Sequence, residues 1–137
     1  MDTRQLFTRV DRSRLGTLLD SSEIRSIASW NVLDELEWRL EESDAVAPER
    51  IPGTVVTMNS TLRLINLDSD REMICTIVYP DDIDLIDDGV SVIGPIGSAL
   101  IGHQAGDQVE WWKGSDAGRW RIVGIISQPE QVGHFHL

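Results

Sequence analysis

The chain has 137 residues, enough for one domain or a small domain with an appendage to bury a core without disulfide or metal staples. Its 12 basic and 23 acidic residues give a net charge of -11, which disfavours direct binding to nucleic acid and favours a basic protein partner. No apolar run approaches the roughly 20 residues that span a bilayer, and the first residues lack the core of a secretory signal, so we expect a cytoplasmic protein without membrane contact.

Two short helices are predicted first, over residues 11–20 and 31–43. Each carries one stripe of apolar residues at the i, i+3, i+4 spacing of a helix. Packing the two stripes together as an antiparallel hairpin, a short coiled coil over residues 1–45, buries both of them. Residues 20–30 would then form its tip. The stripes consist of Leu15, Leu18 and Leu19 in the first helix and Val32, Leu33, Leu36 and Leu40 in the second.

Local signals refine the second helix. Asn31 followed by Asp34 predicts an N-cap with its return partner. Glu35 and Arg39 are spaced to form an i,i+4 ion pair on the helix surface. Both predictions depend on local spacing alone.

Prolines and a glycine in "DAVAPERIPG" end the helical pattern, so we place a linker at residues 46–53 and a second domain at residues 54–137. Short runs rich in β-branched and aromatic residues then predict an antiparallel sheet. Pro95 and Gly102 delimit one short helix between the strands, which gives an α+β fold with the sheet packed on that helix. The predicted strands are "TVVTM", "TLRLINL", "EMICTIVY", "VSVI", "QVEWWK" and "RWRIVGII".

The stretch "LLDSSEIRS" places Asp20 and Glu23 three positions apart. Such a pair can hold a metal ion, or Asp20 or Ser21 can simply cap or close a turn. A second acidic feature, with five aspartates between residues 81 and 88, predicts a solvated loop anchored by buried Ile83, Leu85 and Ile86, with a metal or partner site as the alternative.

Other candidate sites are weaker. "GSALIGH" has His103 where a phosphate loop needs Lys, so Gly97 and Gly102 are interpreted as packing and capping positions. His103, His134 and His136 would form a zinc site only if the fold brought them together. Cys75 is expected to be a buried, structural thiol. One of the adjacent Trp111 and Trp112 should face the core and the other the opposite side; with Trp120, core packing plus one rim residue is expected, and an exposed aromatic patch is the alternative.

Three stretches carry a family resemblance: "VVTMNSTLRLINLDSDREMICTIVYPDD", "VSVIGPIGSALIGHQAGDQVEW" and the closing "QPE" with "GHFHL". They closely resemble the bacterial regulator of nucleoside diphosphate kinase family, relatives of the Gre transcript-cleavage factors. The resemblance implies an FKBP-like domain over residues 54–137. It also implies binding to bacterial RNA polymerase at the rim of the secondary channel, the pore through which nucleotides reach the active site.

In Gre factors an Asp and a Glu at the tip of a long coiled coil help hold a catalytic Mg²⁺, and Asp20 and Glu23 match their spacing. The helices predicted here are only about 15 to 20 Å long, against the roughly 45 Å needed to reach the active site. A ligand oxygen must lie about 2 Å from Mg²⁺. We therefore predict a non-enzymatic regulator that competes with Gre-type factors without stimulating cleavage, with Asp20 and Glu23 as an acidic contact at the channel mouth.

The resemblance also places a polymerase docking loop at Ile93, Gly94, Pro95 and Ile96. Gre factors typically have Asp-Ser-Pro there; Pro95 is kept and the polar pair is absent, so an apolar contact through Ile93 and Ile96 is expected. We expect a monomer without cofactor or metal. Two alternatives stay open: indirect control of nucleoside diphosphate kinase level, and peptidyl-prolyl isomerase activity on the FKBP-like fold.

Overall fold

The computed structural model of the protein describes residues 5–114 and 116–134. Its first part contains three helices: α1 (Arg9–Leu19), α2 (Ser22–Ile27) and α3 (Trp30–Glu42). The two predicted helices are present as α1 and α3, but the tip between them is itself helical. Ser21 begins α2, since its hydroxyl accepts the Ile24 N–H at 3.4 Å.

The predicted N-cap of α3 is wrong. The helix begins one residue before Asn31, and the N-cap position belongs to Ser29, which makes no side-chain capping bond. The cap signal at Asn31 is overridden because α2 ends at Ile27 and leaves only Ala28 and Ser29 to turn the chain. A helix that must start this soon has no room for a separate cap at Asn31.

Two three-residue strands close the base of the helical part. β1 (Leu6–Thr8) precedes α1 and β2 (Asp44–Val46) follows α3, and they pair in parallel. Thr8 then caps α1, with its hydroxyl accepting the Asp11 N–H at 3.0 Å. This small sheet holds the two ends of the helical part side by side.

The main sheet has five strands in the order β5-β4-β3-β7-β6. Most neighbours are antiparallel as predicted, but β5 pairs with β4 in parallel, which corrects the all-antiparallel prediction. The long connection between β4 and β5 allows this, because a parallel pair needs a crossover rather than a tight turn. The strands are β3 (Thr61–Asn66), β4 (Glu72–Val78), β5 (Gly89–Ser91), β6 (Gln108–Trp111) and β7 (Gly118–Ser127).

The run "TVVTM" is not a strand of the sheet. Val55 makes only an isolated bridge to Gln104, and residues 55–58 are all buried rather than alternately exposed. The Val56 N–H donates to the carbonyl of His103 at 2.8 Å, and the Val56 carbonyl accepts from the Gly102 N–H at 3.1 Å. The segment is therefore fixed against the turn that follows the short helix of the second part.

That helix, α4 (Pro95–Leu100), opens at Pro95 as predicted. Gly97 must be glycine, because a Cβ there would lie 2.1 Å from the carbonyl oxygen of Ser91. Gly102 follows the helix with φ +83° and would place a Cβ 2.6 Å from the Phe7 ring. The packing and capping interpretation of both glycines is confirmed.

Helices and sheet share one hydrophobic core, and the predicted α+β class is confirmed. The core joins the apolar stripes of α1 and α3 to the inner face of a curled sheet. In the described part of the chain, no helix is long and apolar enough to cross a membrane. The core includes Leu15, Leu33, Leu36, Leu62, Ile77, Leu100 and Trp120.

Candidate functional site

The predicted tip carboxylates are both exposed and take different local roles. Asp20 is the C-cap of α1, and its N–H donates to the carbonyls of Gly16 and Thr17 at 3.2 Å. Glu23 lies in the first turn of α2, where a negative charge is favourable. The interpretation of Asp20 and Ser21 as turn and capping residues is thus confirmed by the geometry.

Arg25, which no sequence pattern selected, connects the helices of the tip. Its Nε donates to the carbonyl of Leu19 at 2.7 Å, at the end of α1. Its Nη2 donates to Glu37 Oε2 at 2.8 Å, on α3. One side chain of α2 therefore links both neighbouring helices and limits how far the tip can move.

The reach of the helices is short. α1 has 11 residues and α3 has 13. At 1.5 Å rise per residue these helices are about 16 and 20 Å long. Their lengths agree with those predicted from the sequence.

The far end of the tip meets the predicted docking loop across an open groove of about 430 Å³, which we call the tip groove. One wall comes from the junction of α2 and α3, and the other from the loop before α4 and the segment after β4. Its lining is mainly apolar. The lining residues are Ile27, Ala28, Ser29, Val32, Pro80, Ile83, Ser91, Ile93, Gly94, Pro95 and Lys113.

Some of the predicted site residues line this groove and others do not. Ile93, Gly94 and Pro95 line it, with Gly94 as the N-cap of α4 and Pro95 exposed at its first turn. The remaining docking-loop residue, Ile96, packs against the core and does not line the groove. Asp20 and Glu23 do not line it either, so the tip contributes through Ile27 rather than through its carboxylates.

The rim of the tip groove is apolar and acidic. Ile27 of the lining is 69% exposed, and Trp30, which follows the lining residue Ser29 in the sequence, is equally exposed. The aspartate-rich segment forms a 3₁₀ helix over Pro80–Leu85, and the prediction of buried anchors there is wrong: Ile83, Leu85 and Ile86 are all exposed. No residue of this 3₁₀ helix is buried, whereas Cys75 and Ile77 before it and Val92 after it belong to the core. A solvated acidic segment with outward-facing apolar side chains therefore borders the groove.

The base of the helical part is fixed by a buried arginine. Arg39 of α3 donates from Nε to Gln5 Oε1 at 2.9 Å and from its two terminal nitrogens to the carbonyls of Ser98 and Ile101. These carbonyls lie at the C-terminal end of α4, where a cation is favourable. Burial lowers the pKa of Arg39 to about 10, so it stays charged at neutral pH. The predicted surface ion pair of Arg39 with Glu35 is wrong, because the guanidinium turns inward.

A buried carboxylate makes a second connection at the base. Asp11 of α1 accepts the Met58 N–H at 3.0 Å through Oδ2. Next to it, the Thr57 hydroxyl donates to Glu130 Oε1 at 2.7 Å. Burial raises the pKa of Asp11 to about 6, with the nearby Glu130 charge adding to the effect.

The remaining candidate residues lie mostly in structural positions. His103 bonds through its two ring nitrogens to Asp107 at 3.2 Å and to Gln5 at 2.9 Å. His136 lies outside the described residues, so the three-histidine hypothesis is not tested. Among residues 5–114 and 116–134, no group of three or more His, Cys, Asp or Glu could hold a metal ion. Burial raises the pKa of Cys75 to about 12, which confirms an unreactive, structural thiol.

Trp111, Trp112 and Trp120 follow the core interpretation, in which one of the adjacent pair faces away from the core. Trp111 and Trp120 are buried and stack with ring centroids 5.6 Å apart. Trp112, just after β6, is the outward residue and is 66% exposed.

Comparison with known proteins agrees with this architecture. The family described as "Transcription elongation factor, GreA/GreB, C-term" matches residues 51–127. The regulator of nucleoside diphosphate kinase from Escherichia coli (strain K12) is 31% identical over 129 residues, which cover 93% of each chain. The transcription elongation factor GreA from Thermodesulfovibrio yellowstonii is 31% identical over 93 residues, 68% of this chain and 59% of that one. A solved structure, the prokaryotic transcription elongation factor GreA/GreB from Nitrosomonas europaea, is 38% identical and superposes with a TM-score of 0.74, covering 92% of this chain and 100% of that one.

Proposed function

Because the chain belongs to the GreA/GreB family of transcription elongation factors, we propose that it is a transcription regulator that binds bacterial RNA polymerase near the secondary channel. On this proposal it competes with Gre-type factors and does not stimulate transcript cleavage. The observation that carries the proposal is the tip groove, where the helical tip and the loop before α4 form one apolar surface. The relatives are named as regulators or transcription factors, which supports a protein that is not an enzyme.

The chemistry of the tip groove supports a protein partner. Exposed Ile27 and Trp30 would be buried in a complex, and removal of large apolar side chains from water is a main source of binding energy. The aspartates of residues 81–88 lie beside the groove and would complement basic residues on the partner. A partner surface with an apolar centre and a basic rim fits both features.

The short helices support binding without catalysis. The helices extend only about 16 to 20 Å, so Asp20 and Glu23 would stay far from the polymerase active site. A carboxylate must lie about 2 Å from Mg²⁺ to bind it. We propose that these two residues make an acidic contact at the mouth of the channel.

Several broader features belong to the same proposal. They are the division into a hairpin (residues 1–45), a linker (46–53) and an FKBP-like domain (54–137), the monomeric state, and action in the cytoplasm. The extensive core between helices and sheet supports a helical part held in one orientation during docking.

Binding and competition test the proposal. Fluorescently labelled protein is titrated with core RNA polymerase, and a Gre-type cleavage factor is then added as competitor. We expect saturable binding at or below micromolar concentration, displacement by the cleavage factor, and no faster cleavage of backtracked RNA. The Asp20→Ala/Glu23→Ala variant serves as the matched control for cleavage. Absence of binding at micromolar concentration would overturn the proposal.

The two alternatives receive no separate support. The name of the Escherichia coli relative connects it with nucleoside diphosphate kinase, but indirect control of the level of that enzyme would act through another protein, so the tip groove gives it no support of its own. For isomerase activity, the two stacked tryptophans Trp111 and Trp120 fill the core by packing against each other. Regulation of polymerase is therefore the function that the site supports best.

A further inference from the structure

Strand β6 is an edge of the main sheet. It pairs with β7 on one side, and in the described part of the chain no strand covers its other side. The Ile122 N–H of β7 donates to the Asp107 carbonyl at 2.9 Å. Hydrogen-bonded positions recur at every second residue of an antiparallel pair, so Val109 and Trp111 bond to β7. The N–H and C=O groups of Gln108 and Glu110 therefore point away from the sheet.

These free backbone groups face a second groove, of about 400 Å³, which we call the edge groove. One wall is the continuous segment from Gln108 to Lys113. The opposite wall is formed by α3 and α4. Lining residues from the helices are Val32, Glu35, Arg39, Pro95, Ser98 and Ala99.

The edge groove has the shape and chemistry to hold an extended peptide. An exposed strand edge binds another strand through its main chain, and a helix on the far side gives the added strand a second surface to pack on. Trp112 and Ala99 offer apolar contact to alternate side chains of such a strand.

Charge complementarity indicates the kind of strand. Glu35 on α3 and Glu110 on β6 face the edge groove from opposite walls, and Lys113 stands at the end that adjoins the tip groove. Arg39 also lines it and keeps its charge, with the guanidinium bound to Gln5 and to two backbone carbonyls. These four charges balance, so the net charge of -11 on the whole chain is what favours a segment that carries basic side chains.

We propose that the edge groove binds an extended, basic segment of a partner protein as an added strand on β6. A second copy of this chain is the poorer occupant, because each copy carries a net charge of -11 and would bring Glu110 against Glu110. The proposal does not depend on polymerase binding, since it rests on the free edge of β6, the groove beside it and the charge of the chain.

Synthetic eight-residue peptides test the proposal with the full chain. The first alternates valine and lysine, the second alternates valine and glutamate, and the third is the lysine peptide with prolines in place of alternate valines. We expect the lysine peptide to bind, measured by fluorescence anisotropy, and the other two to bind at least about tenfold more weakly because they lose charge complementarity or main-chain donors. Equal binding of the lysine and glutamate peptides would contradict the proposal.

Two variants at one position separate charge from hydrogen bonding. Glu110→Gln removes the charge and should weaken binding of the lysine peptide a few-fold. Glu110→Pro also removes the outward N–H, so it should weaken the peptide by about tenfold more than Glu110→Gln, while the bonds of β6 to β7 are kept. Equal affinity of the two variants would overturn strand addition.

Amide hydrogen exchange on the wild-type chain keeps the proposal falsifiable if Glu110→Pro fails to fold. The Gln108 and Glu110 amides should exchange fast in the free protein and become protected when the lysine peptide is saturating. Unchanged exchange at both amides would rule out an added strand. A dimer in sedimentation analysis that Glu110→Gln strengthens would show that the edge pairs with a second copy instead, which also contradicts the proposal.

Discussion

The base and the tip of the helical part use their side chains in opposite ways. At the base, Arg39 and Asp11 are buried and hydrogen-bonded to backbone groups of the second part. At the tip, Ile27, Trp30 and the carboxylates Asp20 and Glu23 face solvent. Polar groups at the base are thus used for internal attachment, whereas the apolar side chains and carboxylates at the tip are left for contact with a partner.

The difference assigns separate roles to the two ends. A buried charge with its hydrogen bonds satisfied fixes one orientation of the helices, since any other orientation would leave backbone carbonyls unpaired. Exposed apolar residues contribute little to stability and become valuable only when a partner covers them. We therefore expect substitutions at the base to change stability and substitutions at the tip to change binding.

The largest effect is expected at Arg39. Arg39→Ala should lower the free energy of unfolding by about 4 kcal/mol, because it leaves the carbonyls of Ser98 and Ile101 buried without donors. Urea unfolding followed by circular dichroism measures this. Arg39→Lys is the matched control: it keeps the charge without the planar fork and should recover only part of the loss. Full recovery by lysine would show that charge alone holds the base.

Gly97→Ala should cost nearly as much, about 3 kcal/mol, because the new Cβ would lie 2.1 Å from the Ser91 carbonyl oxygen. Gly16→Ala in α1 is the control, since a Cβ there meets nothing within 4 Å. That substitution should stabilise the protein by up to about 1 kcal/mol through helix propensity. Thermal unfolding of the two variants measures both effects. If Gly97→Ala and Gly16→Ala shifted Tm by similar amounts, the close packing of α4 on β5 would be contradicted.

The stability of the base should also depend on pH through Asp11. Its pKa is raised from 3.8 to about 6, so the folded state binds the proton more tightly than the unfolded state. The stabilisation that the protonated Asp11 gives the folded state is complete below pH 4 and is lost as the pH rises to about 6. The free energy of unfolding should change by roughly 2–3 kcal/mol over this range. Urea unfolding of the wild type and of Asp11→Asn from pH 4 to 7 isolates it. The wild type should lose stability relative to the variant over this range. A difference in the free energy of unfolding that stays constant with pH would contradict a raised pKa of Asp11.

The smallest effect is expected at the tip carboxylates. Asp20→Ala/Glu23→Ala should change the free energy of unfolding by less than about 1 kcal/mol, since both side chains are exposed. Their proposed acidic contact predicts a loss in polymerase affinity of only a few-fold at low salt, and less at high salt. A loss of binding beyond about a hundredfold would show that the tip carboxylates dominate docking.

The sequence predicted those parts of the fold that have a long, regular pattern. The stripes of α1 and α3, the strands β3, β4, β6 and β7, and the limits of α4 all carry several consistent signals. Strands β1 and β2 have three residues each, too few to show a pattern, and they form only because they meet each other. The parallel pairing of β5 depends on the path of the preceding segment, which alternation of side chains does not encode.

The sequence pattern also predicts more about the tip of the helical part than about its base. Asp20 and Glu23 were selected because their spacing is local. Arg39 bonds to carbonyls 59 and 62 residues away, and Asp11 to a backbone N–H 47 residues away, so neither partner is visible in the sequence. The only signal was a charged residue between apolar ones on the buried side of a helix. The tip groove likewise needed the fold, since it joins the end of α2 to the loop before α4.

The affinity of two matched variants for core RNA polymerase tests the central proposal most directly. Ile27→Asp changes an exposed residue of the tip groove, and Ile126→Asp makes the same change on strand β7, at a residue that is 56% exposed and does not line the groove. We predict that Ile27→Asp weakens binding at least about tenfold, because it places a charge in the apolar contact, and that Ile126→Asp binds like the wild type. Equal affinities for the two variants would contradict docking through the tip groove.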